Sequence, residues 1–213
     1  MSTRRLPVYL ILDTSGSMRG EPIHSVNTGL KAMLSALRQD PYALESVHLA
    51  IITFDNEARE YLPLTPLDEV QLDDITVPDS GATFMGAALE LLLQLVDRDV
   101  HKSNRDNRGD WRPLVFLMTD GSPSDVHAWR QAVPEVKRRN FGTIIACAAG
   151  PKAKQAFLLE LTDRVVSLDT MDSATFSGFF KWVSASVASG SGSAGVNAAT
   201  PLPLPPPEIQ LVL

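Results

Sequence analysis

Cysteine is nearly absent: the 213 residues include one, Cys147. A single thiol excludes an internal disulfide framework and a multi-thiolate zinc site. It fits a reducing compartment. No apolar stretch approaches the ~18–20 residues that a membrane helix needs. Positive charge is in deficit, with 19 Lys and Arg against 25 Asp and Glu and a formal net charge of −6. An acidic balance gives no broad electrostatic reason to bind nucleic acid. No Gly-x-x-x-x-Gly-Lys loop is present to cradle nucleotide phosphates. The N-terminus carries Arg4 and Arg5, but the apolar run Val8–Leu12 stops at Asp13, too early for a signal peptide. The chain is therefore expected to be cytoplasmic, with no membrane span and no nucleic-acid partner.

What is present is an ordinary apolar fraction, 44%, enough for a globular core. The length suits one domain with an appendage. Short, continuous, β-branched runs recur at Val8–Leu12, Val47–Phe54, Leu114–Met118, Thr143–Ala148 and Val165–Leu168. Such runs suit strands buried on both faces of a parallel sheet. Between them lie segments of helical spacing: Ile23–Leu37, Met85–Val96, Val126–Arg139, Lys154–Leu161 and Ala174–Val187. Pro134 is expected to kink or restart the third of these. Glu57–Leu67 follows the second strand after only Asp55-Asn56, a gap that suits a hairpin, and its Pro63 and Pro66 fit an edge. The expected fold is a three-layer, doubly wound α/β domain. Its sheet is mostly parallel and six-stranded, with one antiparallel edge strand.

Two segments differ in composition. Asp97–Pro113 is charged and lacks aliphatic periodicity, as expected of a solvated loop. Ser189–Pro207 is Gly/Ser/Ala-rich and then Pro-rich, and reads as a linker. Residues 1–188 are thus expected to form the domain and 189–213 a tail with an apolar tip. In that tip Ile209, Leu211 and Leu213 alternate with Gln210 and Val212. This pattern suits a short strand that needs a sheet edge or a groove, on its own domain or a neighbour's. Glu208 is a carboxylate that can reach a neighbour's metal.

The residues that carry chemistry follow strand ends. Asp13-Thr14-Ser15-Gly16-Ser17 directly follows the first run and delivers three side-chain oxygens into one turn. Gly16 lets the backbone curl, and Gly20 and Pro22 lead into the next helix. Oxygen-only ligation suits a hard cation such as Mg²⁺. A strand-to-helix turn that only caps a helix has the same composition. Asp120, in Thr119-Asp120-Gly121, follows the fourth run. If the first and fourth strands are neighbours where the strand order reverses, Asp13 and Asp120 face one crevice. Ser80-Gly81-Ala82-Thr83 precedes the helix at Phe84, and Thr83 can act as an N-cap or lend its hydroxyl to a cation.

Together these pieces resemble the metal-ion-dependent adhesion site (MIDAS) of von Willebrand factor A (VWA) domains. The resemblance covers residues 6–188. It places Asp13, Ser15, Ser17, Thr83 and Asp120 as ligands of Mg²⁺, or of Ca²⁺ or Mn²⁺. It implies a protein-interaction module in which a partner Asp or Glu completes the coordination. Phe84 and Met85 follow Thr83 and are candidate partner contacts beside the metal. The stretches Leu6–Asp13, Met18–Pro22, Ala36–Glu45 and Leu62–Leu67, with the Pro-rich end, are similar to TerY-type tellurium-resistance proteins. That similarity implies a bacterial stress-response system with a kinase or phosphatase as partner.

Catalysis is not expected. A haloacid-dehalogenase-type phosphatase needs a second Asp two residues after the first, and Ser15 stands there. Ser15 and Ser17 have no evident His partner for an acyl-transfer triad. The alternatives to an interaction module are a Mg²⁺-dependent phosphatase-like hydrolase and a scaffold whose cation is purely structural. His24 and His127 are placed as surface residues at helix starts, and Cys147, Trp129 and Trp182 as packed residues.

Overall fold

The structure, a computed structural model, describes residues 4–79, 81–105, 108–192, 203–207 and 209–212. Ser80, most of the linker, Glu208 and Leu213 lie outside the described residues.

Seven strands are present among the described residues: β1 (Leu6–Asp13), β2 (Val47–Phe54), β3 (Ala58–Pro66), β4 (Leu114–Thr119), β5 (Thr143–Ala149), β6 (Val165–Leu168) and β7 (Ile209–Val212). The helices are α1 (Glu21–Arg38), α2 (Pro41–Ser46), α3 (Met85–Asp99), α4 (Val126–Arg138), α5 (Gln155–Leu161) and α6 (Ser173–Gly192). One sheet runs in the order β3-β2-β1-β4-β5-β6-β7. β2, β1, β4, β5 and β6 are parallel, while β3 and β7 add antiparallel to β2 and β6. The sheet therefore has one strand more than the six expected, and both of its edges are antiparallel. The extra strand is the alternating C-terminal tip.

All eight residues of β1 are buried. Leu6, Val8, Leu10 and Leu12 face one core layer, with α1 and α6 behind them. Tyr9 and Ile11 face the other, with α3 and α4. Burial on both faces is why the strand reads as an unbroken apolar run. Two glycines set the helix spacing. A Cβ on Gly29 of α1 would stand 2.3 Å from the Phe180 ring of α6. One on Gly86 of α3 would stand 2.3 Å from the Trp129 backbone nitrogen of α4.

Two local expectations change. α4 runs on through Pro134 rather than restarting. The carbonyl deprived of its partner belongs to Arg130, an exposed residue, where water can donate to it. The short helix α2 was not anticipated, although Asp40-Pro41 announces it. The Asp40 side chain accepts the Tyr42 and Ala43 N–H groups, and Pro41 occupies the first turn.

Candidate metal site

β1 lies between β2 and β4, so the strand order reverses there. Leu12 pairs in parallel with Met118, which brings the carboxyl ends of β1 and β4 side by side. Asp13 ends β1 and Asp120 follows β4. Parallel pairing at the reversal thus places both carboxylates over one crevice, as the strand-end positions predicted.

The first motif folds tightly over that crevice. Ser15 N–H donates to Asp13 Oδ1 at 2.8 Å. Gly16–Met18 forms a single 3₁₀ turn, closed by Met18 N–H donating to the Ser15 carbonyl. The left-handed residue that turns the chain into α1 is Gly20, at φ 87°, and not Gly16. The turn aims both serine hydroxyls the same way, with Ser15 Oγ and Ser17 Oγ hydrogen-bonded at 3.3 Å. Ser17 Oγ donates to Asp120 Oδ1 at 2.8 Å. Four of the five expected residues are therefore linked in one hydrogen-bonded cluster. The fifth, Thr83, is buried, and its hydroxyl faces Gly121: a Cβ there would lie 3.6 Å from Thr83 Oγ1.

Phe84 and Met85 diverge. Phe84 is half-buried at the start of α3 and keeps part of its surface open. Met85 is fully buried in the core layer shared by α3 and α4, so it is withdrawn as a partner contact. The first turn of α3 carries it into the interior while Phe84 stays at the rim. His24 and His127 are exposed, whereas Cys147, Trp129 and Trp182 are buried.

The von Willebrand factor type A domain family matches residues 8–176. The chain belongs to that family. No curated protein matches the sequence. Among solved structures, the von Willebrand factor type A protein of Catenulispora acidiphila superposes with a TM-score of 0.65 at 17% identity, over 88% of this chain and 43% of that one. Proximal thread matrix protein 1 of the mussel byssus, with zinc in its MIDAS motif, gives 0.62 at 17% identity, over 86% and 46%. The ArnB paralog VWA2 of Sulfolobus acidocaldarius gives 0.60 at 14% identity, over 85% and 46%. These likenesses show a shared fold, and this chain spans less than half the length of each. VWA domains are mostly non-enzymatic modules of protein–protein interaction, and those with a MIDAS bind a divalent metal.

The donor set of this VWA domain fits such a cation. Among the described residues, no group of three or more His, Cys, Asp or Glu side chains is placed to hold a metal. The crevice offers hydroxyl oxygens beside two carboxylates, a donor set suited to a hard cation. Both carboxyls are under electrostatic pressure. Burial pushes Asp13 up to about 6; the Thr119 and Ser15 hydrogen bonds pull it down, and the charge of Asp120 raises it further. Burial also raises Asp120, against the Ser17 hydrogen bond and the nearby charge of Lys152. A divalent cation would neutralise the pair, and oxygen-only ligation suits a hard ion.

Several positioning residues escaped the sequence reading. Thr119 Oγ1 donates to Asp13 Oδ2 at 2.6 Å and accepts Gly121 N–H at 3.1 Å, joining the two motifs. The Thr83 loop is held from three directions. Thr83 N–H donates to Ser124 Oγ, and Ser124 N–H returns a bond to the Thr83 carbonyl. Phe84 N–H donates to the carbonyl of the buried Asp55. Asp125 turns away from its own helix and accepts Gly86 and Ala87 N–H groups, capping α3. Asp125 could be read as a cap of α4, but nothing in the chain order says that it serves α3.

Proposed function

We propose that this VWA domain is a metal-ion-dependent adhesion module. Asp13, Ser15, Ser17, Thr83 and Asp120 hold a divalent cation, and a partner's Asp or Glu takes an open coordination position. The observation that carries this reading is the Asp13–Ser15–Ser17–Asp120 cluster, four oxygen-bearing side chains from two strand ends within hydrogen-bond reach. Three neutral hydroxyls and two carboxylates leave Mg²⁺ short of six ligands, and water fills the remainder. A carboxylate that replaces one water makes a strong, directional bond. Mg²⁺ is the proposed ion, with Ca²⁺ and Mn²⁺ as competitors. Zinc, found in the mussel protein's motif, prefers nitrogen and sulfur ligands that are missing here. Phe84 supplies apolar contact beside the ion.

The same reading assigns residues 1–188 to the adhesion domain and 189–213 to its tail. It places the chain in the cytoplasm, in a TerY-type tellurium-resistance or general stress system, with a kinase or phosphatase as the acidic partner. The similarity of Leu6–Asp13, Ala36–Glu45 and Leu62–Leu67 to that group supports this assignment. One thiol, buried in β5, makes direct metalloid reduction by this chain a poor alternative.

Asp13→Ala should abolish Mg²⁺ binding in calorimetric titration while the circular dichroism spectrum stays unchanged. Partner capture from lysate should be lost in EDTA and restored by Mg²⁺. Capture that survives EDTA while thermal stability falls would point to a purely structural cation. Full Mg²⁺ affinity in the mutant would end this reading.

A further inference from the structure

Beside the proposed cation position lies a depression of about 350 Å³ lined by Ser17, Asp120, Ala149, Gly150, Pro151, Lys152 and Met171. Two of the proposed ligand residues, Ser17 and Asp120, line it, so it adjoins the proposed cation position. The β5–α5 turn also lines it, and that turn is anchored on both sides of Lys152. Gly150 adopts φ 76° and donates its N–H to the Leu168 carbonyl at 2.8 Å. Lys154 N–H donates to the Gly121 carbonyl at 3.1 Å, tying the turn to the residue after Asp120. Between these anchors, Lys152 is exposed.

Among the described residues Lys152 forms no ion pair. The other charged residue lining the depression is Asp120, whose Oδ1 accepts from Ser17 Oγ. Lys152 is close enough for its charge to act on Asp120.

We infer that Lys152 and this depression form a second subsite, so that the partner segment carries two closely spaced acidic side chains, one for the cation and one for the Lys152 ammonium. The inference rests on the proposed carboxylate–cation contact and specifies its ligand. The walls at Ala149, Gly150, Pro151 and Met171 are apolar and suit the methylenes of a glutamate that reaches across to the ammonium. A charge pair at such a rim selects between ligands more than it adds affinity.

The test uses the full chain saturated with Mg²⁺ at low ionic strength, with fluorescent, end-blocked pentapeptides. One carries a single Glu among glycines; the others carry two Glu at separations of one to three residues. Anisotropy should show at least one two-Glu peptide binding about threefold tighter than the one-Glu peptide, a ratio of the size an exposed ion pair supports. Lys152→Ala should erase that ratio, and Lys152→Glu should invert it. Equal binding of all peptides to the wild type, or a ratio unchanged in Lys152→Ala, would overturn this inference and leave the cation contact standing. Failure of every peptide to bind a chain that binds Mg²⁺ would overturn the carboxylate contact itself.

Discussion

Asp13 has both carboxylate oxygens engaged by the chain, Oδ1 by Ser15 N–H and Oδ2 by Thr119 Oγ1. These bonds fix its orientation, while burial holds its carboxyl near 6. The folded-state value lies above the ordinary one. The metal-free fold therefore gains stability from a protonated Asp13 below about pH 4, and loses that gain as pH rises through about 6. A divalent cation needs the ionised form, so its binding must expel the proton. Mg²⁺ affinity should accordingly fall below pH 6, approaching tenfold per pH unit, while it changes little between pH 7 and 8. Calorimetry at pH 5, 6 and 7 reads this directly, and equal affinities at pH 5 and 7 would contradict it. The proposed ligand residues Asp13, Ser15 and Ser17 stand out in the sequence because they sit within five positions of a strand end. Thr119, Ser124 and Asp125 were not, because each acts on a segment more than 35 residues away.

At the scale of elements, α3 is the helix that the proposed site depends on, since Thr83 precedes it and Asp125 caps it. Its contact with α4 is set by Gly86. Glycine inside a helix ordinarily costs about 0.5–1 kcal/mol relative to alanine, so replacing it usually stabilises. At Gly86 the sign reverses. The new methyl would meet the Trp129 backbone nitrogen at 2.3 Å, and backbone cannot rotate away. Gly86→Ala should lower stability by ~1–3 kcal/mol, the usual range for an overpacked contact. Gly178 in α6 is the control: nothing lies within 4 Å of its Cβ position, and Gly178→Ala should be neutral or stabilising. Urea midpoints at unchanged slope separate the two. A Gly86→Ala protein as stable as wild type would mean that α3 and α4 can part without cost. Most helices and strands were readable because two-sided burial writes long apolar runs. α2 was missed because six residues carry too little periodicity, and only its Asp-Pro start marks it.

For the whole molecule, the question is what closes the sheet beyond β6, a strand of four residues. β7 covers that edge in antiparallel register, from Leu168 opposite Ile209 to Val165 opposite Val212. An uncovered edge is a template for pairing with other chains. Side chains hold the cover in place as well. Ile209 is 4% exposed and joins the core layer of α1 and α6. Trp182 Nε1 donates to the Pro203 carbonyl at 2.8 Å, which ties the segment before the strand to α6. The alternation at 209–213 made a strand legible, but not its partner, because antiparallel pairing across some forty residues leaves no local trace. A four-residue strand is unstable alone, so its contribution should be all or none. Ile209→Ala removes its one buried anchor, a change that costs about 2 kcal/mol or more. In a chain of this size that corresponds to a melting temperature lower by roughly 4–8 °C. The β7 amides that bond to β6 should also lose protection from hydrogen exchange in the mutant. An unchanged melting temperature, with exchange at residues 209–212 complete in the dead time for wild type and mutant alike, would mean that β7 does not cover β6 in solution.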